Sequence, residues 1–279
     1  MGAADVTSDV RAGGGVAGRP HRELRAGTIQ VLIVLGLLLL WESVSRSGLF
    51  FERLFPSPVA VTLAAWRHLQ QGIVLPHLAT SAMEISLGLL IGGTLGTLMG
   101  MALGSRPLFG RVCEPIFMYC APVPKIIIYP ISLWFLGIGP ASKVAQSTLA
   151  SFFPILISTA AAIRQVKPVH IDVARLLGAK GFALYRKVYL PAMLGHVLVG
   201  LRLGMGVAII SSLMAETKLA EKGLGFLTIE YYNHFRITEM YSILLIIFTG
   251  AVLLNWIFYW AERRLLRYRG SDAGQNAFF

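Results

Sequence analysis

Six apolar stretches limit what this chain can fold into more than any other feature. They run over Ile29–Trp41, Leu78–Leu103, Val112–Leu136, Val144–Ile163, His196–Ala215 and Ser242–Trp260, and few carry more than one charged residue. A helix needs about 20 mainly apolar residues to cross the hydrocarbon core of a bilayer. Only 14% of the 279 residues are charged, against about 25% in a typical soluble domain. Too little charge is present to coat a water-soluble globule of this size. The expected fold class is therefore all-α: a polytopic membrane protein of about six transmembrane helices.

The segments divide the chain into an N-terminal tail (1–26), a first transmembrane helix (27–46), an external loop with a short amphipathic helix from Val59 (47–76), a transmembrane core (77–262) and a C-terminal tail (263–279). The Ser-Arg-Ser-Gly run after Trp41 is a poor cleavage site, so the first helix is expected to be a retained anchor and not a signal peptide. In the second span Gly88, Gly92, Gly96, Gly100 and Gly104 recur every four residues. They sit inside an apolar helix and not in a strand–loop–helix phosphate cradle. Their expected use is close helix packing, where lipid gives no hydrophobic drive for association. The third span is interrupted by Pro115, Pro122, Pro124 and Pro130. Breaks of that kind are tolerated in a membrane where protein or a wet cavity satisfies the freed backbone, which makes the segment a translocation-path candidate.

Net charge is +11, with 25 Lys and Arg against 14 acids. Placing both termini in the cytoplasm puts 16 of the basic residues inside and seven, Lys143 among them, in external loops, with Lys125 and Arg202 within spans. The basic excess is thus an orientation signal and not a nucleic-acid patch. Intramembrane charge is costly and marks candidate sites. Glu84, Lys125 and Glu216 join Pro122, Pro124 and Pro130 as path candidates; Glu84 has a helix-end role as its alternative, and Lys125 has snorkelling. Arg202 is expected to pair with backbone carbonyls or with the loop between the fourth and fifth spans. The six histidines form no ligand cluster, and Cys113 and Cys120 fit no metal or redox spacing, so no metal site is expected.

That loop, 164–191, is the most informative stretch. Asp172-Val-Ala-Arg-Leu-Leu-Gly-Ala-Lys-Gly followed by Val188-Tyr-Leu-Pro191 reads as two short helices joined at Gly178–Gly181. Asp172 is placed to cap the first, Pro191 to stop the second, and Val173, Leu176 and Leu177 give an apolar stripe that should dock on its own bundle or a partner groove.

The same residues resemble the signature loop of ABC importer permeases of the type I fold: Glu-Ala-Ala, three residues, Gly, nine residues, an aliphatic, one residue, Leu-Pro. Asp172, Val173, Ala174, Gly178, Val188, Leu190 and Pro191 hold those places, with Asp for Glu, Val for Ala and Val for Ile as departures. The resemblance implies that this loop is a cytoplasmic coupling helix, with Asp172, Val173, Ala174, Leu177, Gly178, Ala179, Leu190 and Pro191 meeting a separate ATPase. Further segments resemble the nitrate/sulfonate/taurine-type branch: Pro56-Ser-Pro58, Pro122-Val-Pro-Lys125, Leu133–Gly139, Phe152–Ile155, Gly200-Leu-Arg-Leu-Gly204, Ala215-Glu216 and Gly223-Leu-Gly225. Glu84 stands where that branch often has Arg, which keeps a heterocycle such as a thiamine precursor open as the solute beside a sulfonate, taurine or nitrate.

As the resemblance implies, the chain works as a homodimer in the bacterial inner membrane, with two cytoplasmic ATPase subunits and a periplasmic solute-binding protein. No Gly-x4-Gly-Lys-Ser/Thr loop is present, so ATP and magnesium belong to the partner and this chain binds no cofactor. An ion-gradient-driven secondary transporter is the second class of reading; it normally shows repeated halves and buried ion sites, and no paired halves are visible here. A membrane enzyme would need a metal cluster or an activated nucleophile, and neither constellation occurs.

Overall fold

The computed structural model describes residues 21–48 and 54–266, which form helices and short turns throughout. Two compact units divide near residue 52. The first holds α1 (His21–Arg46), whose Gly27–Arg46 portion is apolar enough to cross a membrane, closed by an Arg46–Glu42 ion pair one turn apart. Helix α1 thus begins within the expected tail. Residues 1–20 and 267–279, which hold the remainder of both expected tails, lie outside the described residues, as do residues 49–53 of the expected external loop.

The second unit contains α2 (Pro58–Gln70), α3 (Val74–Ser105), α4 (Pro107–Cys120), α5 (Tyr129–Leu136), α6 (Pro140–Arg164), α7 (Pro168–Leu176), α8 (Phe182–Leu184), α9 (Leu190–Lys218), α10 (Leu224–Asn233) and α11 (Ile237–Leu266). Ser57 caps α2 by accepting the Ala60 N–H at 3.1 Å, and Pro58 sits in its first turn, where a missing donor costs nothing. Its buried residues, Val61, Ala64, Ala65 and His68, follow the i, i+3, i+4, i+7 spacing of one helix face, as the amphipathic pattern required. That face packs on α11, and His68 stacks on Tyr231.

Helix α6 is the hub, flanked by α3 and α9. The glycine ladder explains how. A Cβ on Gly96 would stand 2.7 Å from the Phe152 carbonyl oxygen, and one on Gly100 would stand 2.6 Å from that of Leu156. Gly88 meets Ser147, Gly92 meets Ser151, and Gly104 meets Ile163. Because the partner numbers rise together, α3 and α6 run parallel. Gly204 meets Ile155 and Gly200 meets Ser158, so α9 runs antiparallel to α6 and brings its own glycines to the contact.

Parallel packing of α3 and α6 settles the path between them. Gly104 and Ile163 share one end of the bundle, whereas α6 begins at the other. The chain from 106 to 139 must therefore travel the full length. Neither α4 nor the following segment can do so alone; together, bent by 85°, they make one broken crossing. Among the described residues, five single helices plus this pair give the six spans expected from hydropathy, each extending beyond its apolar core. The prolines divide the labour. Pro115 lies within α4, Pro122 and Pro124 flank the bend, and Pro130 starts α5 without breaking anything.

We predict that Gly96→Val lowers stability by about 1–3 kcal/mol, because the added carbons must overpack against backbone. Gly250→Ala, with nothing within 4 Å of its added Cβ, leaves the melting temperature of the detergent-purified protein unchanged or slightly raised.

Candidate functional site

Two features stand at opposite ends of the α3–α6–α9 bundle. At the end shared by Gly104, Ile163 and the C-terminal turns of α11 lies the elbow 165–189. Its first helix, α7, begins at Pro168, so Asp172 sits in mid-helix and not at the cap, with an exposed carboxylate 4.0 Å from Arg175. The cap position belongs to Lys167, because proline at the next residue fixes the helical start. Gly178 and Gly181 adopt φ of +83° and +51°, a left-handed turn that favours glycine and brings the Ala179 N–H onto the Ala174 carbonyl at 2.9 Å.

Pro191 does not stop a helix. It stands in the first turn of α9, directly after a π-helical turn over Tyr185–Tyr189 whose wider register ends with the Leu190 N–H on the Tyr185 carbonyl. Proline has no N–H to continue an α-ladder, and the π turn absorbs that fault so that Tyr185–Lys218 runs as one span.

The elbow has two faces. Ile171, Ala174 and Ala179 pack on a core of Ala162, Ile163, Val166, Leu184, Tyr189 and Met193, and the Tyr185 hydroxyl hydrogen-bonds the Ser105 hydroxyl at the end of α3. Val173, Leu176 and Leu177 point the other way; the two leucines are 87% and 83% exposed. Leu190 is also exposed. Beside the elbow, Arg164 forms a two-pronged ion pair with Glu114 of α4. Arg202 pairs with neither carbonyls nor the elbow: its Nε donates to Asn255 Oδ1 at 2.8 Å, and Glu262 lies 4.0 Å away, because α11 and not α7 passes beside it.

At the opposite end the structure gathers Glu84 of α3, Lys143 of α6 and Glu216 of α9, each about 1% exposed. Ser212 donates to Glu84 Oε2 at 3.5 Å, the Gly225 N–H donates to Glu216 Oε2 at 2.6 Å, and Lys143 Nζ donates to the carbonyls of Ile138 and Gly139. Ser81 accepts the Leu224 N–H at 2.8 Å. Glycine is required twice here: Gly223 has φ +122° and a Cβ would run into the Glu216 carboxylate, while a Cβ on Gly225 would stand 2.8 Å from Glu216 Cβ. The segments Ala215-Glu216 and Gly223-Leu-Gly225, separate in sequence, are thus one contact. Lys143, which the sequence placed in an external loop, completes the cluster; it lies in the first turn of α6 and its neighbours carry no signal of its partners.

Lys125 stands apart from this cluster. Its ammonium donates to the carbonyls of Cys120, Ala121 and Val123, closing the open end of α4, and lies 4.5 Å from the Phe153 ring centre. Such a cation complements the negative end of a helix. It also lines a cavity of about 410 Å³ at the bend, together with Val123, Pro124, Phe153, Pro154 and Ser211. Among the described residues no acidic side chain lines that cavity, and Glu84 and Glu216 do not reach it. Among the described residues no group of His, Cys, Asp and Glu is arranged to hold a metal.

Gly223→Ala is expected to loosen the start of α10. Strain of about 1–3 kcal/mol at that backbone corresponds to roughly 5- to 150-fold faster hydrogen exchange at the Gly225 amide, read by mass spectrometry.

Residues 92–267 match the family of binding-protein-dependent transport system inner membrane components. The chain is 32% identical to the taurine transport system permease protein TauC of Escherichia coli, across 73% of this chain and 74% of that one. It is 26% identical to a protein named as an aliphatic sulfonates transport permease, SsuC, of Bacillus subtilis, across 92% and 93%. A solved structure of the MetNI methionine ABC transporter in an inward-facing conformation shares the fold, with a TM-score of 0.56 at 21% identity over 71% of this chain and 94% of that one. The chain belongs to the binding-protein-dependent transport system inner membrane components: it is a multi-pass permease subunit of a type I ABC importer.

Proposed function

We propose that this permease imports a small sulfonate-like anion, of the taurine or aliphatic sulfonate class, and that it is driven through the elbow 165–189 by a separate ATPase. The observation that carries the second half is the exposed apolar face of Val173, Leu176 and Leu177 on a loop whose other face is anchored. Three large aliphatic side chains held in water by a fixed scaffold have a cost that only a partner groove removes. Asp172, Ala174, Gly178, Ala179, Leu190 and Pro191 shape that surface and do not form its grip. ATP and magnesium bind the partner subunits and not this chain.

Support for the solute class comes from the names of the relatives and from the cavity at the bend. Among the described residues its only charged lining residue is Lys125, and a cation at a proline-opened break suits an anion. The alternative of a cationic or neutral heterocycle rested on Glu84, which is buried away from that cavity. Pro122 and Pro124 open the path by leaving the bend without helix, and Pro130 restarts it.

In this reading the elbow and the end of α11 face the cytoplasm, both termini lie on that side, and the α10 end faces the periplasmic binding protein. Two copies of the chain pair with two ATPase subunits. Closure of the ATP-bound motors draws the elbows together and reopens the pathway on the far side, an alternating cycle between two states.

The double substitution Leu176→Asp, Leu177→Asp touches no packed contact, so the protein inserts and melts as the parent does. It is expected to lose co-purification of the ATPase in a detergent pull-down by at least about tenfold, since two buried charges cost several kcal/mol. Undiminished co-purification counts against the docking face. In proteoliposomes carrying the full complex, uptake of radiolabelled taurine follows enclosed ATP at zero membrane potential. Uptake that follows the potential and ignores ATP overturns the motor assignment.

A further inference from the structure

The cluster at the α10 end has a charge imbalance that the importer reading does not use. Two carboxyl groups and one ammonium are buried together at about 1% exposure each. The carboxyl groups of Glu84 and Glu216 face one another within hydrogen-bonding reach. Glu216 Oε1 is fully enclosed and makes no hydrogen bond among the described residues, although the Ser81 hydroxyl acts on the same carboxyl group. Ionised carboxylates only accept hydrogen bonds, so two of them facing each other leave an orphaned oxygen and a repulsion; one proton between them turns the same contact into a bond.

Lys143 balances one carboxylate, and one unit of negative charge remains. A metal ion would need several further oxygen ligands and would sit beside the ammonium, whereas a proton needs only the two oxygens already there. The other ionisable groups whose charge reaches the cluster are Tyr129, whose hydroxyl donates to the Leu219 carbonyl at 2.9 Å, and Glu221 in the loop before α10, which acts on Lys143. His77 also faces this turn, its Nδ1 lying 3.1 Å from the Gly223 carbonyl oxygen and 3.2 Å from the Gly223 nitrogen.

We propose that Glu84 and Glu216 form a proton-binding site, in which one exchangeable proton joins α3 to α9 and thereby holds the start of α10 closed over that end of the bundle. The bound proton keeps Glu216 in place to receive the Gly225 N–H, and the Ser81–Leu224 bond beside it fixes the same turn. Release of the proton sets two like charges against each other in a buried site and parts the helices there. The site would make the outer end of the permease respond to pH, independently of solute identity and of the elbow.

Infrared spectroscopy of the full-length protein in lipid nanodiscs tests this. At pH 7 the wild type should show the carbonyl stretch of a neutral carboxyl group that shifts in deuterated water. Glu84→Gln and Glu216→Gln, each an uncharged stand-in for the protonated partner, should remove that band, and Glu221→Gln should keep it. Should either glutamine variant fail to fold, titration of the wild type decides. Alkaline loss of the band should accompany at least a tenfold fall in the protection factor of the Gly225 amide, that is, exchange faster than the intrinsic base-catalysed rise with pH. A wild-type spectrum without the band at pH 7, a band that survives in both glutamine variants, or a band lost with no change at Gly225 overturns the proposal. None of these results depends on ATPase binding, so failure here leaves the docking test of the elbow intact.

Discussion

Everything in this fold depends on how closely α3 and α9 approach α6. Lipid tails are as apolar as leucine, so helices in a bilayer gain little by hiding apolar surface from each other; what they gain is dispersion contact at short range. Removing side chains at Gly88, Gly92, Gly96, Gly100 and Gly104 on one side, and at Gly200 and Gly204 on the other, lets backbone meet backbone. The serines and threonines of α6 fill that seam: Ser151 bonds its own preceding turn at Ser147. A parallel pair of helices then forces the intervening chain to recross the bilayer, and the proline-broken α4–α5 segment is the answer to that geometric demand.

The two ends of the bundle solve different problems with the same residue. At the elbow, glycine supplies left-handed backbone for a turn in open space, since nothing approaches within 4 Å of a Cβ on Gly178 or Gly181. At the α10 end, Gly223 supplies both backbone freedom and room, because the Glu216 carboxylate occupies the place of its missing side chain. The first use exposes an apolar surface and the second encloses a charged one. In the proposed cycle the first serves as a face for the motor and the second as a seal at the far end.

Much of this was legible in the sequence because its signals are periodic or strongly punctuated. Glycines four apart announced the α3 seam, the apolar runs announced the spans, and the Gly178–Gly181 pair announced the elbow. What stayed hidden follows from distance in the chain. Lys143 reads as a loop residue until α6 is seen to start at Pro140 and to run beside Glu84, and no local pattern couples Glu216 to a glycine nine residues later. Asp172 looked like a cap because acids favour helix starts, yet Pro168 had already set the start one turn earlier. Pro191 looked like a terminator because the compensating π turn before it leaves no mark in the sequence.

That π turn has a mechanical consequence. Without a break at Pro191, the stretch from Tyr185 to Lys218 is a single rod of 34 residues, about 50 Å long at the usual rise, well over the thickness of the hydrocarbon layer. One end is keyed to the elbow and the other carries Glu216. In the proposed cycle, a displacement of the elbow at Tyr185 acts on the same continuous helix that carries Glu216 near its other end.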